Sequence, residues 1–203
     1  MIPAQEALER LREGNLRFVA GLKEAPIGQT RRRALTDGQK PFAVILGCSD
    51  SRVPAEIVFD QGLGDLFVIR VAGNIVAPSQ IGSVEFAVER YDTRLVVVLG
   101  HSSCGAVQAT IDELRRPSED QSRNLHAIVD RIRPAVVELM KTDLVHDHDL
   151  LLHKAVQSNI RVAAGQLRHG SEILEQLIQK QGLLVVGAEY SLETGVVDFF
   201  DGP

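Results

Sequence analysis

Two short stretches carry side chains able to do chemistry. In "LGCSDSRVP", residues 46–54, Cys48, Asp50 and Arg52 alternate with serines. About fifty residues later, "LGHSSCG" brings His101 and Cys104, again directly after an apolar run that ends in glycine. Thiolates and imidazoles are zinc ligands, and two cysteines with one histidine leave the fourth position to water or to a movable ligand. A structural zinc site completes itself with a fourth cysteine or histidine at short spacing. This chain has only two cysteines, and its next histidine after His101 is His126. The pattern therefore points to a catalytic metal. Asp50 is either a fourth ligand or is held off the metal by Arg52 through a charge-assisted, bidentate pair.

These groups need strands to deliver them to one point. Three β-rich runs, 42–47, 66–71 and 95–100, are continuously apolar, as parallel strands covered on both faces require. Residues 79–91 between the second and third have helical spacing, with Ser79 as a candidate N-cap, so strand, helix and strand alternate. Helices are expected over 4–19, around 31–35, and over 106–114, 125–140 (bent or interrupted at Pro134), 150–167 and 171–181. Residues 183–190 and 195–200 close the chain as a strand and its hairpin partner. The fold class is α/β, a mostly parallel central sheet flanked by helices, with an N-terminal helical arm and a C-terminal strand hairpin. Ligands collect at the carboxyl ends of strands in such a sheet. If the strands before Cys48 and His101 are neighbours, both motifs converge there. We expect one domain over 1–203, with 1–40 as arm and connection and 41–203 as the core.

"CSDSR" followed by "HSSCG", each after an apolar strand, resembles the β-class carbonic anhydrases, and the similarity extends through "GQKPFAVILGCSDSRVPAEIVFDQGLGDLFVIRVAGNIV" to the hairpin. The resemblance implies reversible hydration of carbon dioxide to bicarbonate and a proton by zinc-bound hydroxide. It implies one Zn2+ per subunit on Cys48, His101 and Cys104, and a homodimer or homotetramer. It makes Asp50 and Arg52 the dyad at the metal, with Asp50 a fourth ligand only in a closed state. Gln39, nine positions before Cys48, matches a glutamine that hydrogen-bonds substrate, usually from the partner subunit. Phe67, Ala72 and Phe86 match the apolar carbon dioxide pocket, and Gly105 a backbone N–H beside the bound anion. Ala72 departs from the valine of many members. Members with a bicarbonate-stabilised closed state share a tryptophan three positions before the first cysteine. Here that position is Ile45, although Gly47, Arg70 and Tyr190 match the rest of that pocket, so the expectation is the open type. The N-terminal helix is expected to pack across a partner subunit.

Composition excludes several other classes. The formal net charge is -5, and Arg31-Arg32-Arg33 is too short to make a nucleic-acid surface against that balance. No stretch approaches the roughly 18 apolar residues of a membrane helix, and the N-terminus alternates charge with apolar positions where a signal peptide has a block. The expectation is a cytoplasmic protein acting on a small molecule, with no nucleic-acid or membrane partner. His146-Asp147-His148-Asp149 reads as a polar helix start. Gly62-Leu63-Gly64 lacks the third glycine of a dinucleotide loop. Two other functions fit the same residues: a carbon disulfide or carbonyl sulfide hydrolase, and a non-catalytic zinc or thiol redox sensor.

Overall fold

The computed structural model describes residues 2–26, 28–116 and 122–202. Its centre is a sheet of five strands: β1 (Ala43–Gly47), β2 (Leu66–Arg70), β3 (Leu95–His101), β4 (Leu184–Tyr190) and β5 (Val197–Asp201), in the order β2-β1-β3-β4-β5. The first four run parallel and β5 returns antiparallel to β4 as the hairpin. β1 and β3 are adjacent, with Gly47 opposite Leu99, so both motifs leave the sheet side by side.

Strand side chains alternate between two apolar layers. Val44, Leu46, Val96 and Val98 face one layer, beneath α4 (Pro78–Arg90), α5 (Gly105–Arg115), α6 (Arg123–Val136), α7 (His148–His169) and α8 (Glu172–Gln181). Ala43, Ile45, Leu95 and Val97 face the other, covered by α1 (Ala4–Val19) and the short α3 (Ala55–Val58). The remaining helix, α2 (Gln29–Ala34), lies in the connection to β1.

Three expectations are corrected. The first concerns the apolar face of α1, which is not left for a partner to cover: Ala4, Ala7, Leu8 and Leu11 are buried on the sheet of their own chain. With only α3 beside it on that layer, the apolar stripe has a surface to cover within the subunit. The second is the start of α4 at Pro78 after Ala77: proline at the first helical position has no N–H to satisfy, and Ser79 falls inside the helix. The third is that α6 ends at Val136, two residues past Pro134, rather than at residue 140, as suits a proline that removes a ladder bond and crowds the preceding turn. The polar start of α7 is as expected, with Asp147 as N-cap accepting from the Leu150 N–H at 3.0 Å.

Candidate metal centre

Cys48 follows β1, His101 is the last residue of β3, and Cys104 caps α5. Their ligand atoms lie within 4.8 Å of one another, and all three residues are buried. His101 Nδ1 lies 2.9 Å from the Ser102 carbonyl, a bond that places the ring proton on Nδ1 and leaves Nε2 as the lone-pair nitrogen. That Nε2 is buried and has no hydrogen-bond partner among the described residues. An orphaned imidazole nitrogen facing two sulfurs is what a zinc ion would satisfy, so the residues fit that metal.

Charge in the cluster is unevenly shared. Cys48 Sγ receives the Cys104 thiol, which outweighs its burial, and it accepts the Gly73 N–H at 3.3 Å, so its pKa is well below that of a free thiol. Cys104 moves the opposite way, first because it donates to Cys48 and second because it is buried. For His101, burial disfavours the imidazolium, but the adjacent Cys48 thiolate outweighs it and the pKa is raised. With a divalent cation held there, Cys48 and Cys104 would both be thiolates, the proton they share being released.

Asp50 stands at the rim. Arg52 grips it with two parallel bonds, Nε to Oδ1 at 2.9 Å and Nη2 to Oδ2 at 2.7 Å, and the Arg52 N–H adds a third at 3.0 Å. The guanidinium holds the carboxyl far below the usual carboxylate range, fully ionised at neutral pH. Asp50 Oδ2 is 3.8 Å from His101 Nε2, beside the cluster. Arg70 donates Nε to the Cys48 carbonyl at 3.0 Å and Nη2 to the Asp50 carbonyl, fastening the loop that carries both side chains.

The other residues singled out in the sequence divide into two groups. Ala72 lies in the turn Ala72–Asn74, next to the Gly73 N–H on Cys48, and Gly105 opens α5 directly after Cys104. Gln39, Phe67 and Phe86 gather elsewhere. Gln39 Nε2 donates to the Tyr91 hydroxyl at 3.0 Å, and the Phe67, Phe86 and Tyr91 rings meet with centroids 5.9–6.1 Å apart. Phe67 pairs with Val44, four residues before Cys48, or roughly 13 Å down the strand at about 3.3 Å per residue. Gln39 precedes β1 altogether. Gln39 also lines an open depression with Phe42, Tyr91 and Thr93 at the amino end of the sheet. Of the residues matching the bicarbonate pocket, Arg70 is engaged by backbone carbonyls and Tyr190 is buried against Phe18.

Sequence reading did not single out Tyr91 or Asn159 as site residues. Asn159 lies among the buried residues of α7 and donates to the Gly73 carbonyl at 2.8 Å. A polar residue on that apolar stripe was the available signal.

Comparison with known proteins agrees with this geometry. A family model described as carbonic anhydrase matches residues 43–197. A carbonic anhydrase of Mycolicibacterium smegmatis is 42% identical over 193 residues, 95% of this chain and 91% of that protein. Carbonic anhydrase 2 of Mycobacterium tuberculosis is 40% identical over 190 residues, covering 93% and 89%. Among solved structures, the β-carbonic anhydrase CcaA superimposes with a TM-score of 0.73 at 26% identity over 97% of this chain and 89% of its own. The β-carbonic anhydrase CafA of Aspergillus fumigatus gives 0.73 at 25% identity over 84% and 80%. A Sordaria macrospora relative described as tetrameric gives 0.74 at 23% identity over 85% and 87%. The chain belongs to the carbonic anhydrases of the β class, and is an enzyme of the lyase type.

Proposed function

We propose that the protein catalyses zinc-dependent, reversible hydration of carbon dioxide to bicarbonate and a proton, with Cys48, His101 and Cys104 holding one Zn2+ per subunit. The observation that carries this reading is the buried Cys48, His101 and Cys104 cluster, with ligand atoms within 4.8 Å of one another and His101 Nε2 left without a hydrogen-bond partner among the described residues. A zinc ion held there supplies Lewis acidity that brings the ionisation of water to about pH 7. The chain's own residues do the rest. Asp50, kept ionised by Arg52, accepts a hydrogen bond from the attacking water and turns its lone pair toward the substrate carbon. Because both carboxylate oxygens are gripped by Arg52, Asp50 stays off the metal at neutral pH, which supports the open type. Ala72 and the Gly105 N–H border the place where substrate and product bind.

The remaining substrate contacts come from a second subunit. Gln39, Phe67 and Phe86 lie too far along the sheet to serve their own Cys48, and Phe86 is 52% exposed. Placed by a two-fold against a neighbour's metal cluster, they provide a hydrogen-bond donor and an apolar wall for carbon dioxide. The assembly is a homodimer or a pair of such dimers, like the relative described as tetrameric. Each subunit is a single domain. No helix among the described residues is long and apolar enough to cross a membrane, and we place the protein in the cytoplasm, with no membrane or nucleic-acid partner.

Stopped-flow carbon dioxide hydration by zinc-analysed protein between about pH 6.5 and 9 tests this, since the range brackets the ionisation of metal-bound water. Turnover at neutrality supports the proposal. Turnover only on the alkaline side would mean that Asp50 closes the site. Zinc without any hydration would redirect the assignment to carbon disulfide or carbonyl sulfide hydrolysis, or to a redox sensor.

A further inference from the structure

The mechanism above leaves Asn159 unused, although it is 2% exposed and lies on the helix that crosses the centre of the sheet. A buried amide is costly unless its hydrogen bonds are made, so a polar residue among Ala155, Val156, Ile160 and Ala163 calls for a partner. Its side-chain N–H donates to the Gly73 carbonyl, at 2.8 Å. The same peptide-bearing residue offers its N–H to Cys48 Sγ at 3.3 Å. One side chain of α7 therefore reaches a metal-ligand sulfur through a single intervening residue, 86 positions away in sequence.

The packing that permits this reach is specific. A Cβ on Gly100, the residue before His101, would sit 2.5 Å from Ile160 Cδ1, so a bare glycine lets α7 settle against β3 at this level. Gly73 adopts φ +70°, and a Cβ there would meet Ile132 Cδ1 at 2.7 Å and Ala106 Cβ at 3.0 Å. The turn is thus wedged between α5 and α6 and leans on α7 through Asn159. An N–H directed at a ligating sulfur withdraws charge from it and fixes its direction, and such outer contacts tune metal sites.

We propose that Asn159 is a positioning residue for the metal: by holding the Gly73 carbonyl it keeps the Gly73 N–H on the Cys48 sulfur, and so sets the ion affinity and the electron donation of that thiolate. This rests on the Cys48/His101/Cys104 metal reading. The test uses Asn159→Leu, of similar size but without the donor. Two quantities are read: Zn2+ affinity by competition with a chromophoric chelator, and the near-ultraviolet sulfur-to-metal absorption of Co2+-substituted protein. The expectation is Zn2+ binding weakened about ten- to a hundredfold, with the Co2+ band displaced to longer wavelength as the sulfur loses its hydrogen bond. Ile160→Val, which thins the packing beside Asn159, should lower the melting temperature while leaving both readouts unchanged. If Asn159→Leu does not fold, Asn159→Ser, smaller and too short to reach the Gly73 carbonyl, carries the same test. A folded variant with wild-type affinity and an unmoved band overturns the proposal, as does an equal shift of both readouts in Ile160→Val. Wild-type protein that takes up neither Zn2+ nor Co2+ would instead overturn the metal site itself.

Discussion

The two ends of the sheet differ in how complete they are within one chain. At the carboxyl end, Cys48, His101 and Cys104 are buried, Asp50 is gripped by Arg52, and the supporting Gly73, Arg70 and Ser102 groups are in hydrogen-bond contact. At the amino end, Gln39 and Tyr91 line an open depression, and the Phe67 and Phe86 rings meet Tyr91, away from the Cys48, His101 and Cys104 cluster. A metal site has to be rigid and dry, and a single core supplies both conditions. A substrate wall can be provided by a neighbour, because it needs apolar area and one donor rather than fixed coordination geometry. On the proposed function, the contrast separates the residues that would hold the ion from those that would receive the substrate.

Replacing a ligand should have the largest effect. His101→Ala removes the only nitrogen of the set, and we expect loss of bound zinc and hydration reduced to background, with metal analysis and stopped-flow on one preparation as the check. Chelation of the wild type should do the same, reversed by added Zn2+. Asp50→Asn keeps the shape but removes the charge that Arg52 holds. It should lower kcat/KM on the order of a hundredfold with zinc content unchanged, the scale of a lost proton-handling group. Zinc loss in that variant would show Asp50 to be a ligand rather than an acceptor.

The amino end is tested by Gln39→Ala. Losing one substrate hydrogen bond is worth about tenfold in kcat/KM, with no change in metal content. Mixing this variant with Cys48→Ser, after unfolding and refolding together, sharpens the comparison. In a shared site each mixed dimer regains one intact centre, so activity should exceed the sum of the two separate variants. Activity equal to that sum would mean that each chain completes its own site.

The smallest effect concerns the anchor of the connection leading to Gln39. Asp60, its side chain 5% exposed, accepts from Arg17 Nε at 2.6 Å and from the Glu24 and Ala25 N–H groups. Burial pushes its pKa up, but these donors outweigh it and the folded-state value is lowered. The ionised form therefore stabilises the fold above the unfolded-state pKa of about 3.9, and that stabilisation is lost as pH falls through the lower folded value. Asp60→Asn, tolerated by the backbone at φ 45°, should cost about 1.5–3 kcal/mol at neutral pH in denaturant titrations. The gap should narrow below about pH 4, and a constant gap down to pH 3 would contradict the ionic origin.

Most of the fold was legible because buried parallel strands write themselves as continuous apolar runs. "AVILG" and "LVVVLG" announce strands whose carboxyl ends meet if they are neighbours, and a ligand pair after each needs no long-range information to be noticed. Helix boundaries were less legible where local chemistry competes, as at Pro78 and Ser79, since both suit a helix start. The placement of α1 was not legible at all. Its stripe of Ala4, Ala7, Leu8 and Leu11 shows that one face must be covered, but not whether by its own sheet or another copy.

By itself, then, the sequence determined the order of strands and helices, the donor types and their attachment to strand ends, because these depend on periodicity and side-chain chemistry within a few residues. The tertiary structure alone decided which donors stand together. It set Gln39 at the opposite end of the sheet from its own Cys48, and brought Asn159 to the Gly73 carbonyl across 86 positions. The physical reason is that distances between elements follow from how closely they pack. At Gly100 that closeness turns on one absent Cβ, whose consequence appears only when Ile160 is seen lying against it.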